Sequence, residues 1–170
     1  MTIAELNAAD VATFVSVVGP LFEHSPWIGE AAAHVRPFAN RAALFDQMVA
    51  ILEGAPERDQ LAVIRAHPDL AGRFAHRAQL TRESSKEQAG AGLMALSDAE
   101  AERFSELNDA YRTKFGFPFI LCARENTKES ILAAMGERLT NLREVEIETA
   151  LREIVKIVRY RFDDVIEADA

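Results

Sequence analysis

The 170-residue chain has a single cysteine, Cys122. That excludes an intrachain disulfide framework and a cysteine-based zinc site, and it fits a reducing cytoplasm. Glycine and proline are sparse, at 8 and 6 copies, so neither a collagen-like nor a loop-dominated chain is expected. No run of about 18 apolar residues occurs, so no transmembrane helix is predicted. The first fifteen residues carry Glu5 and Asp10 and no basic segment, unlike a signal peptide. Basic residues are outnumbered, 19 against 27, for a net charge of −8. A nucleic-acid partner, which needs a basic face, is therefore not expected. An anionic ligand would have to be captured by a few local cationic groups.

What is abundant is alanine, with 29 copies. Alanine loses no side-chain entropy in a helix and is the best helix former. Apolar residues recur at helical spacing through most of the chain, and no segment alternates as a strand would. The expected fold class is all-α: a single-domain bundle of about seven to nine helices over residues 1–170. A first helix is predicted from Asn7 or Ala8 to about Val18. Ser25 is expected to cap a short helix opening at Pro26, and Asn40 a third. Pro56 opens a fourth helix, which Pro68 stops by pushing its predecessor out of the α region. Residues 69–83 read as less regular. Ser84 or Ser85 can cap a short helix to Gly90, with Glu87 completing a capping box on Ser84. Ser97 and Glu100 form another such box, opening a helix to about Phe115, and Thr127 caps the next. The last helix runs from about Asn141 to Glu167, with Ile147, Leu151, Ile154, Val155, Val158, Phe162, Val165 and Ile166 in one stripe.

Four places could carry chemistry. His67 precedes Pro68 at a helix end, where the dipole favours imidazolium and a stiff turn suits acid–base work. The plainer reading is a histidine capping carbonyls. The stretch 81–92, TRESSKEQAGAG, is polar and then small, so a backbone or ligand can approach it; alone, its capping-box reading is sufficient. Phe115–Ile120, FGFPFI, has an irregular backbone around Gly116 and Pro118, whose amides can read amide and urea edges or belong to a buried apolar loop. Arg159 and Arg161 close the last helix. With Val158 at the stripe's centre, Arg161 lies about 60° away and Arg159 about 100° at 100° per residue. Arg161 is the better placed to reach a lined pocket and pair with a carboxylate; the plainer reading is an arginine snorkelling at the edge of the stripe. Of the four histidines, none forms a metal motif; Glu30 and His34 share a face, but two ligands do not make a site. No phosphate-loop lysine is present, and Cys122 reads as a small buried apolar residue.

AHPDLAG at 66–72, ESSKEQAGAGL at 83–93, NDAYRTKFGFPFILC at 108–122 and EIVKIVRYRFDD at 153–164 occur in this order, after an SPW at 25–27. Together they resemble the 2-oxo-4-hydroxy-4-carboxy-5-ureidoimidazoline (OHCU) decarboxylases of urate breakdown, over nearly the whole chain. The resemblance implies an all-α, cofactor-free and usually dimeric enzyme acting on a small ureidoimidazoline and releasing (S)-allantoin, with neither nucleic acid nor membrane as partner. It places the catalytic histidine and glutamate on His67 and Glu87. Substrate-binding positions fall on Pro68, Ser84, Phe117, Pro118, Phe119, Ile120 and Arg161. No metal is implied.

Overall fold

In a computed structural model the structure describes residues 1–71 and 81–168. Nine α-helices and no strand occur among them. Gly72 and His76, and most of the irregular stretch expected over 69–83, lie outside the described residues. Backbone contacts group the chain into two compact units, Met1–Ala66 with Val158–Ala170, and His67–Ile157.

The first unit opens with two helices where one was expected. α1 (Ile3–Ala8) is closed by a Thr2–Glu5 capping box, and α2 (Val11–Val18) starts from Asp10, whose carboxylate accepts the Thr13 N–H at 2.7 Å. Asp10 takes an extended backbone (φ −65°, ψ 165°) to do so, and this breaks the helix that periodicity alone would continue. A 3-10 turn, Gly19–Leu21, leads to α3 (Trp27–Ala33). Ser25 does not cap α3 as expected: Pro26 is the N-cap, with no side-chain bond, and the Ser25 hydroxyl donates instead to the Glu23 carbonyl at 3.0 Å. A Cβ on Gly29 would lie 2.9 Å from Val18 Cγ2 and 3.1 Å from the Gly19 nitrogen, so only glycine permits this approach of α3 to the end of α2. α4 (Arg41–Glu53) is capped by Asn40, as predicted, and α5 (Glu57–Ala66) follows Pro56. Leu6, Phe14, Val18, Ile28, Leu44, Met48, Leu52 and Phe162 are fully buried and form this unit's core.

In the second unit, α6 (Arg82–Gly90) and α7 (Asp98–Phe115) precede a non-helical segment, 116–122. The Ser97–Glu100 box opens α7, and Gly116 ends it in the left-handed region (φ +78°), where a side chain would be strained. A 3-10 turn, Ala123–Glu125, leads to α8 (Lys128–Arg138), opened by Thr127. Tyr111 gathers Phe115, Phe117 and Phe119 around its ring at 4.5, 6.0 and 5.2 Å between centroids, the last at 90°.

α9 (Arg143–Val165) belongs to both units. Its buried stripe is Ile147, Ala150, Ile154, Ile157, Val158, Arg161, Phe162 and, just past its end, Ile166. Leu151 and Val155 are only half-buried and Val165 is exposed, so the stripe is narrower than the apolar pattern suggests.

Candidate active site

His67 follows the last residue of α5, and Pro68 prevents the helix from continuing. The histidine is buried, with 6% of its surface exposed. The turn it opens, 67–71, is braced by three side chains from α6 and α7. Gln88 accepts the Ala71 N–H at 3.1 Å and donates to the Asp69 carbonyl at 3.3 Å. Asn108 donates to the Leu70 carbonyl at 2.9 Å, and Arg112 pairs with the Asp69 carboxylate at 2.9 Å. Ala71 sits at φ +52°, a conformation that costs a non-glycine residue about 1–2 kcal/mol. A turn strained at Ala71 and bonded there and at Asp69 and Leu70 holds one geometry, and it sets the backbone from which His67 projects.

α6 departs from the expected capping arrangement. Thr81 is its N-cap, its hydroxyl accepting the Ser84 N–H at 3.2 Å. Ser84 and Glu87 therefore lie inside the helix, and the Ser84–Glu87 capping box does not form. Both side chains are buried, together with Gln88. Spacings of three and four residues put Ser84, Glu87 and Gln88 on one helix face. A nine-residue helix that buries a hydroxyl, a carboxylate and an amide gains little from the hydrophobic effect, and each group must be satisfied by a polar partner. Gln88 spends its amide on the histidine turn. Arg124, in the 3-10 turn after the FGFPFI segment, brings its Nε to 3.8 Å from the Glu87 carboxylate. The second unit thus links three pieces that are distant in sequence: the His67 turn, the Ser84–Glu87 face and the segment leading to Arg124.

Phe117, Pro118, Phe119 and Ile120 are all buried. Arg138 donates to the Ile120 carbonyl at 2.8 Å, and the Cys122 N–H donates to Glu153 at 2.8 Å. Among the described residues, the N–H groups of Phe119 and Ile120 make no hydrogen bond. Buried backbone donors of this kind are uncommon and are suited to reading a carbonyl. Cys122 is buried, and burial with the nearby Glu125 charge pushes its thiol up to about 11, so it is a poor nucleophile.

Arg161 belongs to the first unit, where 3% of it is exposed. Its Nη1 donates to Glu23 at 2.8 Å and to the Leu21 carbonyl at 3.3 Å. Arg159 is exposed and lies over the Phe45 ring, its guanidinium carbon 3.3 Å from the centroid. The helical wheel therefore selected the inward arginine correctly. It carried no sign of Glu23, a buried carboxylate 138 residues away. Gln88, Asn108, Arg112 and Arg138 also escaped the sequence reading. Only Gln88 carried a usable signal, one helical turn beyond Ser84 in an otherwise polar stretch. No group of three or more His, Cys, Asp or Glu side chains able to hold a metal occurs among the described residues.

Comparison with known proteins points to one family. The family model for OHCU decarboxylase matches residues 7–163. The 2-oxo-4-hydroxy-4-carboxy-5-ureidoimidazoline decarboxylase of Amia calva is 39% identical over all of this chain and 97% of its own length. That of Halalkalicoccus jeotgali is also 39% identical, over 96% of this chain and 91% of its own. A crystal structure of (S)-allantoin synthase superposes with a TM-score of 0.80 at 32% identity, covering 98% of this chain; this chain spans 54% of that one. With residues 7–163 matched by the family model and relatives 39% identical over nearly the whole chain, the chain belongs to the OHCU decarboxylases.

Proposed function

We propose that this decarboxylase, which converts OHCU to allantoin in urate degradation, uses His67 as its general acid–base group and releases the (S) product. The substrate's name states its chemistry. One ring carbon bears both a hydroxyl and a carboxylate, and its neighbour bears the ureido group and is doubly bonded to a ring nitrogen. When the carbon–carboxylate bond breaks, CO2 leaves and its electron pair moves onto the imine nitrogen, which takes up a proton from solvent. The hydroxyl then gives up its proton as it becomes the carbonyl, and the ureido-bearing carbon gains one. The electron sink lies in the substrate, so no cofactor is required by this route. The protein has to hold the carboxylate and deliver one proton to one face.

His67 takes the hydroxyl proton and supplies the carbon proton. Glu87 orients the histidine or the ureido group, and Ser84 hydrogen-bonds the substrate beside it. The backbone of Phe117, Pro118, Phe119 and Ile120 reads the ring amide, and Pro68 stiffens the histidine. Arg161, its fork steadied by Glu23, binds an anionic oxygen. The observation that carries this reading is the buried Ser84–Glu87–Gln88 face of α6, whose Gln88 holds the His67 turn. A helix end that merely capped its own carbonyls would not need that support. The proposal extends to a homodimer in the cytoplasm, the latter in keeping with a single cysteine, which can form no intrachain disulfide.

The test supplies freshly made urate-oxidation product and follows allantoin by circular dichroism. The parent protein gives a signal of one sign, whereas spontaneous decay gives a racemate and none. His67→Asn, folded by its melting curve, loses about 10²–10⁴-fold in rate, the usual contribution of a general acid–base group. Near-parental turnover in that variant would show the assignment to be wrong.

A further inference from the structure

The second unit buries an ion pair that the proposed chemistry leaves unused. Glu146, fully buried on α9, is held by Arg138 from α8 at 2.8 and 3.0 Å. It also accepts from Asn141 at 2.7 Å and from the Tyr111 hydroxyl. Burial alone would raise the Glu146 carboxyl, but these hydrogen bonds prevail and hold it below the ordinary carboxylate range. Burial and the same contact push the Tyr111 hydroxyl well above its usual value, so it stays protonated and donates. A buried pair of this kind is no more stable than well-packed apolar residues of the same volume, so stability alone does not account for it.

Its geometry points to a different role. While two faces of the Arg138 fork grip Glu146, Nη1 reaches the Ile120 carbonyl at 2.8 Å and the guanidinium lies 4.3 Å above the Phe119 ring. Seven residues along α9, and so on the same helix face, Glu153 accepts the Cys122 N–H at 2.8 Å. Lys156 steadies that carboxylate at 2.7 Å and reaches Glu125 at 3.4 Å. The non-helical segment is therefore anchored at one carbonyl and, two residues later, at one N–H. Between and just before these anchors lie the backbone N–H groups of Phe119, Ile120 and Leu121, which form no hydrogen bond among the described residues. The two anchors fix the peptide planes on either side of Leu121, and Arg138, bonded to the Ile120 carbonyl while lying over the Phe119 ring, restrains the plane that carries the Ile120 N–H just before them.

We infer that Arg138, Glu146 and Glu153 are positioning residues, which aim the 119–121 backbone donors at the substrate. This rests on the reading of that segment as substrate-binding. Arg138→Ala is the obvious variant, but it strands the buried Glu146 charge and can unfold the protein. Glu153, at the rim with its side chain 13% exposed, offers the cleaner test. Glu153→Ala removes the acceptor, whereas Glu153→Gln keeps an oxygen for the Cys122 N–H. KM for OHCU is expected to rise about tenfold in the alanine variant, the size of one lost charge-assisted bond. Its kcat stays within about twofold, and the glutamine variant returns KM to within about twofold of the parent. A purely structural contact would lower melting temperature with KM unmoved, or leave glutamine unable to rescue, and either result overturns the inference.

A second measurement separates this from the segment's own role. In 15N-labelled parent protein titrated with (S)-allantoin, the Phe119 and Ile120 amides are expected to shift. If they shift while Glu153→Ala leaves KM unchanged, the positioning role alone is wrong. If they do not shift, the substrate-binding reading of the segment fails, and the inference with it.

Discussion

Replacing Gln88 by leucine isolates the brace on the histidine turn. Leucine fits the helix, ends one bond short of the amide, and can neither accept from Ala71 nor donate to Asp69. Each of these neutral bonds contributes about 1 kcal/mol net. The Ala71 N–H and the Asp69 carbonyl also lose their partner in a partly buried place. The expected destabilisation is therefore about 2–3 kcal/mol. For a chain of this size that lowers the melting temperature by roughly 4–12 °C, at 2–4 °C per kcal/mol. The fold survives, because Asn108 and Arg112 still hold Leu70 and Asp69. The effect on catalysis should be disproportionate. A displacement of about 1 Å at an acid–base group costs on the order of 100-fold, so kcat/KM is expected to fall by about 10- to 100-fold at temperatures where the variant is folded. The assay is the circular dichroism signal of allantoin formed from fresh OHCU, beside a melting curve of the same sample. A variant that melts lower yet keeps parental kcat/KM would show that Gln88 supports the fold and not the position of His67.

Two further perturbations follow from buried charge. Arg161→Ala deprives the buried Glu23 of its guanidinium and is expected to destabilise by about 3–5 kcal/mol. Adding Glu23→Gln should recover part of that loss while affinity for an anionic substrate analogue, measured by calorimetry, stays weak; unchanged melting in the single variant would contradict the pairing. Glu146 titrates below its usual range when folded, so its contribution is complete above the unfolded value of about 4.3 and is lost as pH falls through the lower, folded value. Urea unfolding at pH 7, 5 and 3.5 should show a steep loss of stability below about pH 4.3. Glu146→Gln should be less stable at pH 7 and show a shallower acid slope, and a parallel slope would assign the acid loss to other carboxylates.

Much of the local architecture was legible in the order of residues. Asn40, the Ser97–Glu100 box and Thr127 cap their helices as expected, and Pro68 ends α5. Capping is a contact over three residues, so the pattern contains both partners. Where two local patterns competed, the reading failed. Ala8–Val18 has helical periodicity throughout, yet Asp10 interrupts it, because an N-cap carboxylate satisfies free N–H groups that a continuous helix would satisfy otherwise. At α6 the expected caps were Ser84 or Ser85, yet Thr81, whose hydroxyl is equally competent, takes the role. Thr81 starts the helix one turn earlier, and that turn moves Ser84 and Glu87 from a helix end to a buried face.

By itself, the sequence determined an all-α chain, its main helix starts and stops, and an inward arginine on the last helix, since each follows from propensity, short-range bonds or the 3.6-residue period. The tertiary structure alone decided what those side chains meet. Glu23 reaches Arg161 across 138 residues, and Asn108 reaches the Leu70 carbonyl across 38. Arg138 reaches Ile120 across 18. No periodicity encodes such pairs, because they depend on where separate helices pack. The burial that makes each charge or hydrogen bond consequential exists only once they have packed.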